Sequence, residues 1–242
     1  MPKSQTERPP LLAFGAHPDD IEFGCGAVVA LETRAGRAAH FVVCSRGEAA
    51  TNGTPKQRTA EAGNAAKLLG ATLEWAELDG DAHLEIKSAH AIKLAAIIRA
   101  RRPGIVLAPS PAENQHPDHA RLGRLVRDAV RLARYGGLKE LRKHAPHSIG
   151  QLLFYTVTPG TEPDGISPVL VDVSALEVIA AWIAAMKAHK SQVATRDYVE
   201  LQLMRSRLCG QRAGIAHAVA LFPNDPPVFG SLNFLESGAR HF

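Results

Sequence analysis

Leu11-Leu-Ala-Phe-Gly-Ala-His-Pro-Asp-Asp20 is the stretch that decides the fold. Its first five residues form a short apolar run closed by glycine, the pattern of a buried strand. The run opens directly into His17, Pro18, Asp19 and Asp20, a polar turn at a strand's carboxyl end. Further apolar runs at 40–44, 73–78, 105–108, 152–156 and 169–173 read as strands of the same kind. Between them lie helical patterns at 26–34, 56–69, 88–101 and 117–134. Gly36, Gly70 and Pro103 stand where three of these helices should stop. Strands alternating with helices predict an α/β fold, a Rossmann-like, mostly parallel sheet with helices on both faces. Two more helices at 175–188 and 196–209, followed by a proline-rich tail, add a helical C-terminal elaboration.

Composition bounds the possibilities. At 242 residues, 45% hydrophobic and 21% charged, the chain suits one globular domain over 11–242 behind a flexible tail of 1–10. The apolar run at 178–186 is too short for a bilayer, which takes roughly 20 residues, so no membrane association is expected. Residues 1–10 have no apolar core of a signal peptide, and Cys25, Cys44 and Cys209 form no C-x-x-C pair. Together these favour a cytoplasmic location. A net charge of +4 is too small to imply nucleic acid.

Open parallel sheets bind ligands at the carboxyl ends of their strands. Three polar clusters fall at such ends: His17 to Asp20, Ser45 to Glu48, and Glu113 to His119. A lone His-Pro-Asp could be a helix N-cap. Two copies, His17-Pro-Asp and His116-Pro-Asp, each after an expected strand, point instead to one converged site. Catalytic zinc takes three N/O protein ligands and leaves a position open, and two histidines and a carboxylate from these clusters supply that set. Gly15, Gly24 and Gly26 do not form G-x-G-x-x-G, and no G-x-x-x-x-G-K-[ST], G-x-S-x-G or H-E-x-x-H is present. The arginines at 121, 124, 127, 131 and 134 recur at helical spacing and read as a solvated face.

The two clusters, Ala16-His17-Pro18-Asp19-Asp20 and His116-Pro117-Asp118-His119, resemble the paired motifs of the LmbE/PIG-L family of zinc-dependent N-deacetylases. Ser45-Arg46-Gly47-Glu48, Asn52-Gly53-Thr54, Arg58, Glu61 and Lys190-Ser191-Gln192 resemble segments of the bacillithiol-pathway deacetylases within it. The similarity runs from 11 to 232. It departs at His217-Ala218-Val219, where relatives often carry a Tyr-Ala-Glu-like segment.

The resemblance implies that His17, Asp20 and His119 hold Zn2+, with another divalent ion such as Fe2+ as the alternative. It makes Asp19 the general base and His116 the electrostatic or general-acid partner, oriented by Asp118. Arg58, Glu48, Asn52 and Gln192 become substrate-binding residues. Arg58 has two readings, an exposed i,i+3 partner of Glu61 or an anchor for a substrate carboxylate. The implied substrate is an N-acetylated amino sugar, N-acetylglucosaminyl malate of bacillithiol biosynthesis in the first place, and the implied assembly a homo-oligomer, hexameric in that subfamily. Another amino-sugar conjugate is the alternative substrate. A metal-binding protein without catalysis is the alternative class, and it gives no reason for Asp19 and His116 beside the ligands.

Overall fold

A computed structural model describes residues 8–235. Most of the expected tail, 1–7, lies outside the described residues. In chain order the first half comprises β1 (Leu11–Gly15), α1 (Asp20–Arg34), β2 (Ala39–Val43), α2 (Pro55–Leu68), β3 (Thr72–Trp75), α3 (Ser88–Arg101) and β4 (Ile105–Pro109). The second half comprises α4 (Pro117–Leu132), β5 (Gln151–Tyr155), β6 (Val169–Asp172), α5 (Leu176–Ala188), α6 (Lys190–Val193), α7 (Tyr198–Gln211) and β7 (Ala218–Pro223). The seven strands form a sheet in the order β3-β2-β1-β4-β5-β7-β6. Strands β1 to β5 pair in parallel, and β7 runs antiparallel to both β5 and β6.

Strand alternation divides the core in two. Leu11 and Ala13 face one hydrophobic layer, which α1, α2, α5 and α7 cover with Val28, Ala66, Trp182 and Leu203. Leu12 and Phe14 face the other, covered by α3 and α4 through Leu94, Ile98, Leu122 and Val126. Parallel strands buried on both faces explain why β1, β2 and β4 read as continuous apolar runs. Strand order reverses between β1 and β4, so the crevice for a ligand opens above that pair. The α/β architecture with helices on both faces is as the sequence predicts.

Two expectations need correction. Residues 218–222, for which the sequence predicts no element, form β7 together with Pro223, where the proline-rich tail around 223–227 is expected to begin; the strand is inserted between β5 and β6. Helix α1 begins at Asp20, six residues before the expected start at Gly26. Its glycines are there for close approach rather than flexibility. A Cβ on Gly24 would overlap the Tyr155 ring, and one on Gly26 would come within 2.9 Å of Trp182 Cδ1. Tyr155 cannot yield, because it is fully buried and its hydroxyl donates to Phe14 O at 2.7 Å. Gly24→Ala should therefore destabilise the fold by about 1–3 kcal/mol through overpacking, outweighing the ~1 kcal/mol of helix propensity gained. Urea unfolding checks this, and an unchanged midpoint would mean that the Tyr155 ring moves aside.

Candidate active site

The turn after β1 is folded by one carboxylate. Asp20 Oδ2 accepts the backbone N–H groups of Ala16 at 2.8 Å and His17 at 2.9 Å. Its other oxygen, Oδ1, lies 2.9 Å from His119 Nε2. Asp19 is the N-cap residue of α1 and sits at φ 131°, ψ −24°, a left-handed conformation rare for a side-chain-bearing residue. Such strain costs on the order of 1–3 kcal/mol and collects at functional positions. Across the crevice, Pro117 opens α4 with His116 as N-cap, and Gln115 Nε2 ties the preceding loop to Ser110 O at 2.6 Å. One turn into α4, His119 is buried and faces the first cluster.

His17 Nδ1 and His119 Nε2 are 3.2 Å apart, and His17 Nδ1 lies 3.6 Å from Asp20 Oδ2. Three donors around one ion at tetrahedral angles, with bonds of about 2.0–2.1 Å, would be separated by roughly 3.3 Å. The set His17, Asp20 and His119 therefore fits a small divalent cation in both chemistry and spacing. The charge balance agrees: Asp19, Asp20, Asp81 and Asp118 gather here against Arg58 and the more exposed Arg121, 3.6 Å from Asp118 Oδ1. The far nitrogen of His17, Nε2, lies 3.1 Å from Asp81 Oδ1 and 3.3 Å from Asp118 Oδ2. Carboxylates placed behind a metal-binding imidazole fix its tautomer and raise its basicity. Burial acts to lower the His17 pKa, but Asp20, Asp118 and Asp81 outweigh it and hold the ring well above 6.5. Asp20 goes the other way: burial works against its charge, yet His119 and His17 hold it well below the usual carboxylate range.

Asp19 stands beside this set without belonging to it. Burial, reinforced by the charge of Asp20 and opposed by Arg58, raises its pKa to about 6. The carboxylate accepts from Arg58 Nη2 at 3.4 Å. A donor triad with an adjacent carboxylate outside the set is equipped for hydrolysis.

Comparison with known proteins gives the chain a family. Residues 12–130 match the PIG-L family, described as GlcNAc-PI de-N-acetylase. An uncharacterized deacetylase, YaiS, of Escherichia coli (strain K12) is 32% identical over 192 residues, covering 78% of this chain and 94% of its own. The chain belongs to the PIG-L family. Diacetylchitobiose deacetylase of Thermococcus kodakarensis is 28% identical over 198 residues, covering 75% of this chain and 69% of that enzyme. A solved structure of a conserved protein from Thermus thermophilus superposes with a TM-score of 0.79 at 32% identity, covering 90% of this chain and 96% of that one.

In this PIG-L chain the crevice is a cavity of about 450 Å³. His17, Asp19, Asp20, His116 and His119 line it, as do Arg58, Asn52 and Gln192. Three expectations are corrected. Glu48 is exposed and lies off the cavity; its carboxylate instead accepts backbone N–H groups of Arg46 and Asp81, both at 3.1 Å, bracing two loops. Asp118 does not orient His116 through its carboxylate, which is taken up by His17 and by Ala82 N at 2.7 Å. His116 is held by the backbone instead, its Nδ1 accepting from Asp118 N at 3.3 Å. That leaves the proton of a neutral His116 on Nε2. Burial, together with the His17 and His119 rings, pulls its pKa below 6.5.

Arg58 is not an exposed partner of Glu61. It is buried and donates from Nη2 to Pro18 O at 3.0 Å as well as to Asp19. Gly47, at φ 72°, passes so close that a Cβ there would overlap the guanidinium. Glu61 pairs with Ser191, whose N and Oγ donate at 3.0 and 2.6 Å, and Gln192 Nε2 donates to Asn52 O at 2.9 Å. The Ser-Gln pair of α6 thus clamps the loop that forms one wall of the cavity. Sequence reasoning missed Asp81. Its signal was available: Asp79-Gly80-Asp81 follows the third strand, at the same edge of the sheet as the other clusters. Among the described residues, no helix is long and apolar enough to cross a membrane.

Proposed function

We propose that this PIG-L chain is a metal-dependent hydrolase that removes the N-acetyl group from an N-acetylglucosaminide. The observation that carries the proposal is the Asp19 carboxylate, which lies beside the converged His17, Asp20 and His119 donors without being one of them. Those three residues would hold the ion, taken as Zn2+. When bound, it supplies Lewis-acid polarisation and brings the pKa of water down toward about 7. Asp19 takes the proton of the attacking water, and its raised pKa of about 6 suits it to return that proton to the departing amine. The water oxygen joins the acyl carbon, the C–N bond breaks, and acetate and a free amino sugar leave. His116 Nε2–H is the donor for the developing oxyanion. Asp81 and Asp118 keep His17 in register from behind.

N-acetylglucosaminyl malate is the conjugate we place first, on the resemblance of the 45–48, 52–54 and 190–192 segments to the bacillithiol-pathway enzymes. The test is acetate release from a panel of N-acetylglucosaminides, with metal content measured on the same preparation. Release from one conjugate but not the malate would move the substrate elsewhere; metal binding without release from any would favour a non-catalytic protein.

Arg58 should act on every substrate alike, because its guanidinium is committed to Pro18 O and Asp19. A charge-assisted hydrogen bond contributes about 1.5–3 kcal/mol, so Arg58→Ala should lower kcat/KM roughly 10- to 150-fold on malate and plain N-acetylglucosamine. A loss confined to the malate conjugate would make Arg58 a carboxylate anchor instead. We also propose self-association into a homo-oligomer, which the exposed Leu176 and Met204, at 84% and 52% exposure, support. Light scattering at micromolar concentration should give a multiple of 25.9 kDa; a monomer would contradict it.

A further inference from the structure

The catalytic cavity is lined by residues of two kinds, polar and apolar. Arg58, Asp81, Asn52 and Gln192 are of the first kind, while Phe23, Val157, Pro159 and Leu201 are of the second. Sugar hydroxyls need partners when they leave water, so they suit the polar lining. The apolar lining suits hydrocarbon. A second cavity of about 400 Å³ adjoins the first, and Phe23, Pro159 and Gln202 line both. That volume falls among small-molecule sites, roughly 300–1,000 Å³. Trp182, Ile166, Pro168, Leu208, Val219 and Phe222 make much of its surface.

The polar side chains at the shared wall are already satisfied. Gln202 Nε2 donates to Val157 O at 2.9 Å, and its Oε1 accepts from Arg205 Nη1 at 2.8 Å. Arg205 also donates to Thr156 O at 3.2 Å and Val157 O at 2.9 Å, and pairs with Glu162 at 3.7 Å. Gln202, the polar residue that lines both cavities, is thus satisfied, while the exposed Arg212 lines the second cavity only. With the sugar against the polar lining, Phe23, which lines both cavities, offers an apolar surface to the acyl group.

We propose that the second cavity receives the acyl part of the substrate, so that the enzyme hydrolyses medium-chain N-acyl amides of glucosamine as well as the N-acetyl form. The proposal rests on the hydrolase reading above and uses the same step. Water's oxygen joins the acyl carbon, the C–N bond breaks, the amine takes the proton, and a fatty carboxylate leaves. Each fully buried methylene contributes at most about fourfold in kcat/KM.

The experiment compares N-acetyl-, N-butanoyl- and N-octanoylglucosamine on the metal-loaded enzyme and on Cys209→Trp. Cys209 lines the second cavity and is absent from the first. Octanoyl hydrolysis should equal or exceed acetyl hydrolysis in the unaltered chain. The tryptophan should cut octanoyl kcat/KM at least roughly tenfold, while acetyl turnover stays within about twofold. Activity that falls with each added carbon, or equal losses on both substrates, would overturn the proposal. If acetyl is cleaved and octanoyl is not, only this inference fails; if octanoyl alone is cleaved, the N-acetyl reading fails, and with it the dual specificity proposed here. A second measurement needs no variant: Cys25 and Cys44 are buried and Cys209 is half-buried, so a maleimide should label Cys209 first. N-octanoylglucosamine should slow that labelling and N-acetylglucosamine should not. Equal labelling rates with both would also overturn it.

Discussion

Replacing His119 with alanine is expected to empty the metal site and abolish turnover. Its Nε2 is the donor closest to both other ligands, 3.2 Å from His17 Nδ1 and 2.9 Å from Asp20 Oδ1. Loss of a partner behind a ligand already costs roughly 10- to 100-fold in metal affinity or activity. Loss of one of three ligands should cost more than about 100-fold, leaving two donors that cannot hold the ion through purification. The fold should survive, since His119 sits at the cavity edge of α4 while Leu122, Leu125 and Val126 pack the core. Elemental analysis of the purified variant checks the point. Near-stoichiometric metal with intact secondary structure would show that His119 is not a ligand.

Asp19→Asn separates binding from chemistry. The asparagine keeps the size of the side chain and removes its ability to take a proton. Asp19 is not among the converged donors, so metal content should stay at the unaltered level. Turnover should fall by about 10²–10⁴, the contribution of a positioned general base. The Arg58 Nη2 contact at 3.4 Å can persist with the amide oxygen, which keeps the strained turn in place. Steady-state kinetics at matched metal content gives the answer. Turnover within a few-fold of normal would put the base elsewhere.

Much of this architecture is legible in the sequence because local and tertiary demands agree. Strand β1 and helix α3 run where the apolar periodicity puts them, at Leu11–Gly15 and Ser88–Arg101. The two His-Pro-Asp clusters fall at the edge of the sheet where β1 and β4 part, so His17, Asp20 and His119 meet despite a separation of about a hundred residues. Reading fails where tertiary packing overrides propensity. Glu22-Phe-Gly-Cys-Gly26 looks like a loop because two glycines are poor helix formers, yet Tyr155 and Trp182 press into the space that side chains would take. Ala218–Pro223 has no alternation to mark it, since β7 is enclosed between β5 and β6 and buried along most of its length.

Side-chain direction is the other thing the sequence conceals. Glu48 and Asp81 both follow strands and carry the same chemistry. Glu48 meets only backbone amides, whereas Asp81 meets both the Ala49 amide, at 3.2 Å, and His17, a difference that residue type does not announce. Arg58 likewise leaves two readings in the sequence, a surface partner of Glu61 or an anchor at the crevice, and the folded structure buries it against the loop at Gly47.

The central claim is that the metal held by His17, Asp20 and His119 and the base Asp19 together remove an acetyl group from an amino sugar. The most direct measurement is acetate release from an N-acetylglucosaminide by chelator-stripped enzyme titrated with Zn2+. Activity should be absent from the stripped protein and rise linearly to a plateau at one ion per chain, and Asp19→Asn should bind the same single ion without releasing acetate at more than about a hundredth of the rate. Full acetate release by the stripped enzyme, or a single ion bound with no release from any N-acetylglucosaminide, would contradict the account.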